Sequence, residues 1–157
     1  MNRLEEIRKL INNILIEGNT SEEKSGVFAH LYGVSNTCSL IALKRGLNVE
    51  LCAIIGMLHD ISTYKTHYTP DHGTLGAIEA EKILEEIKLF NKEEIEIICS
   101  AISKHSNKNS VDNEYDEVLK DADVLQHYLY NTSFEVSEKE KNRLSKILSE
   151  LGIVSSI

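Results

Sequence analysis

The sequence predicts an all-α fold, a bundle of about seven helices in a single domain covering residues 1–157. Three observations point there. No segment alternates with period two, as a half-buried strand would, whereas apolar residues recur at spacings of three and four throughout. The periodic stretches are separated by short helix-ending and helix-starting signals. The 157 residues are 41% hydrophobic, enough for one ordinary core, and no repeat, linker or low-complexity segment divides them.

The elements follow in order. Leu4, Ile7, Ile11 and Ile14 or Leu15 mark an amphipathic helix over residues 3–16, ended by Gly18-Asn19. Thr20 with Glu23 forms a capping box that opens a second helix, along which Val27, Leu31, Val34, Cys38 and Ile41 make a stripe. His30, Val34, Thr37 and Ile41 form the adjoining row. Gly46 breaks this helix and Asn48 caps a third, expected from Val49 to Ile61, whose apolar run from Leu51 to Leu58 marks it as central. Residues 62–71 read as a polar, aromatic loop ending in Pro70-Asp71, with Asp71 as the N-cap of a fourth helix from about His72 to Phe90 through Leu75, Ile78, Ile83, Leu84 and Ile87. Asn91 turns the chain into a fifth helix ending at His105. Residues 106–113 are a polar loop. A sixth helix follows from about Glu114 to Tyr130, with Val118, Leu119, Ala122, Leu125 and Leu129. Ser137 with Glu140 caps a seventh, carrying Leu144, Ile147, Leu148 and Leu151 to Gly152.

Composition narrows the function. Lys and Arg number 17 against 25 Asp and Glu, a net charge of −8, and a polyanion-binding surface needs the opposite balance, so polymeric nucleic acid is not an expected partner. Neither a membrane-spanning apolar run nor the apolar stretch of a signal peptide is seen, so a cytoplasmic location and no membrane partner are expected. Cys38, Cys52 and Cys99 are odd in number, widely spaced and set in apolar segments, which makes them core residues rather than a disulfide or zinc framework.

The chemistry centres on His59-Asp60, where the most apolar helix meets a polar loop. Burying an imidazole or carboxylate there costs several kcal/mol unless it is paired or bound to metal, about 2–7 kcal/mol for an unsatisfied polar group. His30 lies 16 residues before Gly46 and His59 lies 13 after it. At 1.5 Å per residue the arms are roughly 24 and 20 Å, so an antiparallel hairpin returns the two histidines to one level. The same reasoning about Asn91 brings His72 and His105 together. Asp123 is favoured over Asp121, which points to another face, and His127 shares the face of Asp123 as a packed histidine. The set His30, His59, Asp60, His72, His105 and Asp123 suits one or two divalent ions such as Fe, Mn, Co or Ni, with Asp60 able to bridge.

In that order and spacing the chain resembles the HD-domain metal-dependent phosphohydrolases over about residues 26–125. The resemblance runs through His30-Leu31-Tyr32-Gly33-Val34, Gly56-Met57-Leu58-His59-Asp60-Ile61, His72-Gly73 with Gly76-Ala77, Ile102-Ser103-Lys104-His105 and Lys120-Asp121-Ala122-Asp123. It implies an HD-domain-like helical bundle. It also implies that His30, His59, Asp60 and Asp123 match the shared ligands, and that His72 and His105 match the extra histidines of two-metal members. The expected activity is cleavage of a phosphate ester or anhydride of a nucleotide or related small molecule by metal-borne hydroxide, with His59 and Asp60 at the catalytic centre. An HD-fold di-iron oxygenase and a non-catalytic signalling module are the alternatives. The chain departs from the common Asp-Ile-Gly-Lys continuation, with Ser62 and Thr63 in place of glycine and lysine. Lys65, His67, Lys104 and Lys108 are therefore the candidates for binding phosphate. It also lacks the Gly-Tyr-Pro pattern of cyclic-di-GMP phosphodiesterases, and the oligomeric state is not legible.

Overall fold

Ser35 and Gly56 sit where two central helices touch, and that contact explains how the core closes. In a computed structural model describing residues 2–153, the helices are α1 (Arg3–Gly18), α2 (Ser21–Arg45), α3 (Val49–Leu58), α4 (Ile61–Thr66), α5 (His72–Ile87), α6 (Lys92–Lys104), α7 (Glu114–Tyr130) and α8 (Glu138–Glu150). Among the described residues there is no strand. A Cβ on Gly56 would lie 2.6 Å from Ser35 Cα, so only glycine lets α3 approach α2 this closely. Every residue of α3 from Leu51 to Leu58 is buried, with α1, α2, α6 and α7 packed around it. At 25 residues α2 is long and apolar enough on average to cross a bilayer. Here its stripe of Val27, Leu31, Val34, Cys38 and Ile41 lines the core instead.

The caps explain the boundaries. Asn2, Thr20, Asn48 and Asn91 each accept a hydrogen bond from a backbone N–H in the first turn of the helix they precede. Glu23 and Glu94 complete reciprocal boxes. Gly46, at φ +70°, ends α2 in the left-handed conformation that glycine adopts without steric cost.

Several expectations are corrected. The third helix stops at Leu58, not Ile61, and the stretch expected to be loop contains α4, because Ile61 is fully buried and anchors a new turn on the core. The seven expected helices are present, and α4 is the addition. Asp71 occupies the N-cap position of α5 at φ +50° and makes no capping bond. Ser137 donates to the Glu140 carboxylate instead of capping the α8 backbone. Ile78 and Leu129 fit the helical period but are more than half exposed, since among the described residues no element covers those faces. Cys38 and Cys52 are buried and Cys99 partly so. Burial pushes the Cys52 thiol up to about 12, which suits a packing role.

Arg45 of α2 binds Asp121 of α7 and Glu150 of α8 at 2.6 and 2.8 Å. Arg143 of α8 binds Glu117 and Asp121, each at 2.7 Å, and donates to the carbonyls of Lys108 and Ser110. The fully buried Lys120 reaches Asp112 and the Ser110 carbonyl. These bonds fix the loop between α6 and α7, and with it the position of Lys108.

Candidate metal centre

The centre is built where helix ends converge. His59 follows the last residue of α3, His105 follows α6, His72 begins α5, and His30 and Asp123 project from the interiors of α2 and α7. The carbonyl ends of α3 and α6 carry partial negative charge, which favours a cation.

Each imidazole is oriented through Nδ1. His59 donates to the Gly56 carbonyl at 2.8 Å, His105 to Ile102 at 2.7 Å and His72 to Thr69 at 3.1 Å, in every case the carbonyl three residues back. His30 donates to Gln126 Oε1 at 2.8 Å. With its proton on Nδ1, each ring presents the Nε2 lone pair, as a metal ligand must. His30 Nε2 and His59 Nε2 lie 3.1 Å apart. Two lone pairs at that distance repel unless a proton or cation lies against them. Metal–nitrogen bonds of about 2.0–2.1 Å put two nitrogens on one ion roughly 2.9 to 3.4 Å apart. The His72 lone pair is shared, because the Ser106 hydroxyl lies 3.1 Å from it.

The carboxylates complete two groups. Asp60 Oδ2 faces His30 and His59 at 3.5 and 3.4 Å, while Oδ1 faces His105 and His72 at 3.4 and 4.0 Å. Asp123 Oδ1 lies 3.8 Å from His30 and 3.9 Å from His59. Asp60 Oδ1 and Asp123 Oδ1 are buried without a hydrogen-bond partner, a costly state that a coordinated cation relieves. Nitrogen and carboxylate donors without thiolate fit borderline divalent ions. The donor groups are His30, His59 and Asp60; Asp60, His72 and His105; and a third, His30, Asp123 and His127.

Electrostatics agree with the geometry. Burial pushes the Asp60 carboxyl up, but His59, His105 and His30 outweigh it and hold it well below the usual range. For Asp123 burial is likewise overcome, chiefly by Lys108 and then by His59, His127 and His30. Burial lowers the His30 imidazole, yet Asp60, Asp123 and Gln126 raise it on balance. The pocket attracts positive charge.

The sequence matches the HD domain family across residues 27–128. The chain belongs to the HD domain family. HD domain proteins are usually metal-dependent phosphohydrolases, and membership implies divalent metal binding. A predicted HD superfamily hydrolase from an uncultured Thermotogales bacterium shares the fold, with a TM-score of 0.61 at 21% identity over 92% of this chain and 88% of that one. The ribosomal protein uS12 methylthiotransferase RimO of Clostridium perfringens is 29% identical over 125 residues, 73% of this chain. The HD domain chain spans only 28% of that relative's length.

The remaining candidates of this HD domain chain divide. The hairpins bring His30 to His59 and His72 to His105, whose ring centroids are 4.9 Å apart, and Asp60 joins the two pairs. Asp121 is turned away to Arg45 and Arg143, leaving Asp123 in the cluster. Three of the four proposed phosphate binders are held elsewhere. Lys65 is paired with Glu79, Lys104 with the buried Asp116, and His67 with the Gly18 carbonyl. Lys108 is the candidate that reaches the cluster, 2.5 Å from Asp123 Oδ2. His127, expected to be packed, is 51% exposed, lies 3.4 Å from Asp123 Oδ1 and stacks on His30 with ring centroids 5.2 Å apart. Gln126 was missed. Its signal was present, since it follows Asp123 by three residues and so shares its helix face.

Proposed function

We propose that this HD domain hydrolyses a phosphate ester or anhydride of a small molecule of nucleotide type. One or two divalent ions would be held by His30, His59, Asp60 and Asp123, and by Asp60, His72 and His105. The observation that carries the reading is the pair of Nε2 lone pairs 3.1 Å apart beside two buried carboxylate oxygens without partners.

When bound, such ions supply an activated water and neutralise charge building on the phosphoryl oxygens. The chain's own groups prepare for this. The Nδ1 bonds of His59 and His105 place the proton of the neutral ring on Nδ1 and aim Nε2 inward. Asp60 turns one oxygen to each histidine pair, so it would be the ligand common to two ions. With Ser62 and Thr63 replacing the glycine and lysine found in many relatives, Lys108 is the ammonium available to a phosphoryl oxygen, by exchanging one charge-assisted bond at Asp123 for another. His59 and His105 form the closed wall of the site, and His72 and His127 its open side. Substrate enters past the latter pair.

The test is purification without chelator, loading with Mn or Fe(II), and a screen of nucleotides and small phosphate esters for phosphate release. Turnover that disappears in Asp60→Ala is the expected result. No turnover with any ion, or activity that consumes oxygen and leaves phosphate bound, overturns the proposal.

A further inference from the structure

A second feature opens from the centre. A cavity of about 450 Å³ is lined by His30 and His127 together with Tyr130, Phe134, Val136 and Glu140. We infer that this cavity is the subsite for the planar, uncharged ring of the substrate's leaving group, a nucleobase, while the phosphate lies at the metal centre. This rests on the phosphohydrolase reading above.

Four observations carry the assignment. The cavity shares His30 with the proposed ligand set, so its occupant lies against the reacting phosphate. Its lining contains no Lys or Arg and includes the carboxylates of Glu135 and Glu140, which repel a phosphate and accept from ring N–H groups. Tyr130 and Phe134 remain 63% and 62% exposed, leaving aromatic surface at the cavity for a ring to cover. The volume lies within the range of about 300 to 1,000 Å³ typical of small-molecule sites. Tyr130, Phe134, Val136 and Glu140, from the end of α7 to the start of α8, all lie beyond residue 128, where the family match ends.

AMP carries adenine where ribose 5-phosphate carries its anomeric hydroxyl, and the pair tests the inference directly. The KM for AMP should be at least about tenfold below that for ribose 5-phosphate, a difference of about 1.4 kcal/mol. Phe134→Ala should raise the KM for AMP about tenfold while ribose 5-phosphate kinetics stay within about twofold. Tyr130→Ala, also at an exposed position, should act in the same direction. Binding of adenosine, followed through the His127 and aromatic NMR resonances of the protein as purified, gives a readout independent of turnover. Adenosine binding that Phe134→Ala abolishes supports the subsite even if neither phosphate is hydrolysed, in which case the hydrolase reading fails alone. No adenosine binding up to about 5 mM, or equal KM values for the two phosphates, overturns it.

Discussion

The Lys108 ammonium lies 2.5 Å from Asp123 Oδ2, while the other oxygen of the same carboxylate faces the imidazoles of His30, His59 and His127 at 3.4 to 3.9 Å. One aspartate thus divides between a cation of the chain and a place for a cation from solution. Lys108→Met is expected to lower kcat/KM about tenfold to a hundredfold, the loss of one charge-assisted bond, while metal content per chain is unchanged. Steady-state kinetics with elemental analysis checks both. A fall in metal content would instead make Lys108 a positioning residue for Asp123.

Ion stoichiometry should follow the two faces of Asp60. His105→Ala removes a donor to one ion only and should leave the other bound, whereas Asp60→Ala should lose both. Elemental analysis of protein purified under argon reads the result as ions per chain.

Gln126→Leu keeps the size of the side chain but removes the acceptor of the His30 Nδ1 proton. Loss of such an orienting bond typically weakens metal binding about 10- to 100-fold. Competition with a chromophoric chelator measures it.

Gly56→Ala places a Cβ 2.6 Å from Ser35 Cα and 2.8 Å from Ser35 N, backbone atoms that cannot move aside. Overpacking of this kind should cost about 2 to 3 kcal/mol, seen as a fall of roughly 5 to 10 °C in the thermal midpoint by circular dichroism.

Acid should unfold the metal-free protein partly through the clamp on α8. Burial pushes the Glu117 carboxyl up, but Arg143, the Asp112 N–H and Lys120 hold it below its ordinary 4.5. Arg45 holds Glu150 below the same value. Each carboxyl therefore binds its proton less readily when folded than when unfolded, so its contribution is complete above about pH 4.5 and is lost as pH falls through the lower folded values. Urea midpoints from pH 6 downward should drop most steeply below about 4.5, and less steeply in Arg143→Met.

What could be read from the sequence was what helical geometry fixes. A constant rise per residue made the His30–His59 meeting predictable from two arm lengths, and the ring nitrogens do lie 3.1 Å apart. Helix starts at Thr20, Asn48 and Asn91 were legible because capping is a local bond. The joining of the two hairpins through Asp60 depends on packing between α3 and α6, which only the family resemblance supplied. The choice among four basic candidates also escaped, because Lys104 and Lys108 look alike until Asp116 and Asp123 claim them. Helix α4 was hidden by its polar residues, its one strong anchor being Ile61.

Three of the four cluster histidines take their aim from the peptide carbonyl three positions earlier, while His30 takes its aim from a side chain on another helix. A main-chain carbonyl survives every amino-acid replacement, so for those three the aiming partner persists whatever residue occupies positions 56, 102 and 69. His30 alone depends on a partner that one codon change can delete. Mutational fragility of the imidazole array is therefore concentrated at position 126, outside the ligand set itself.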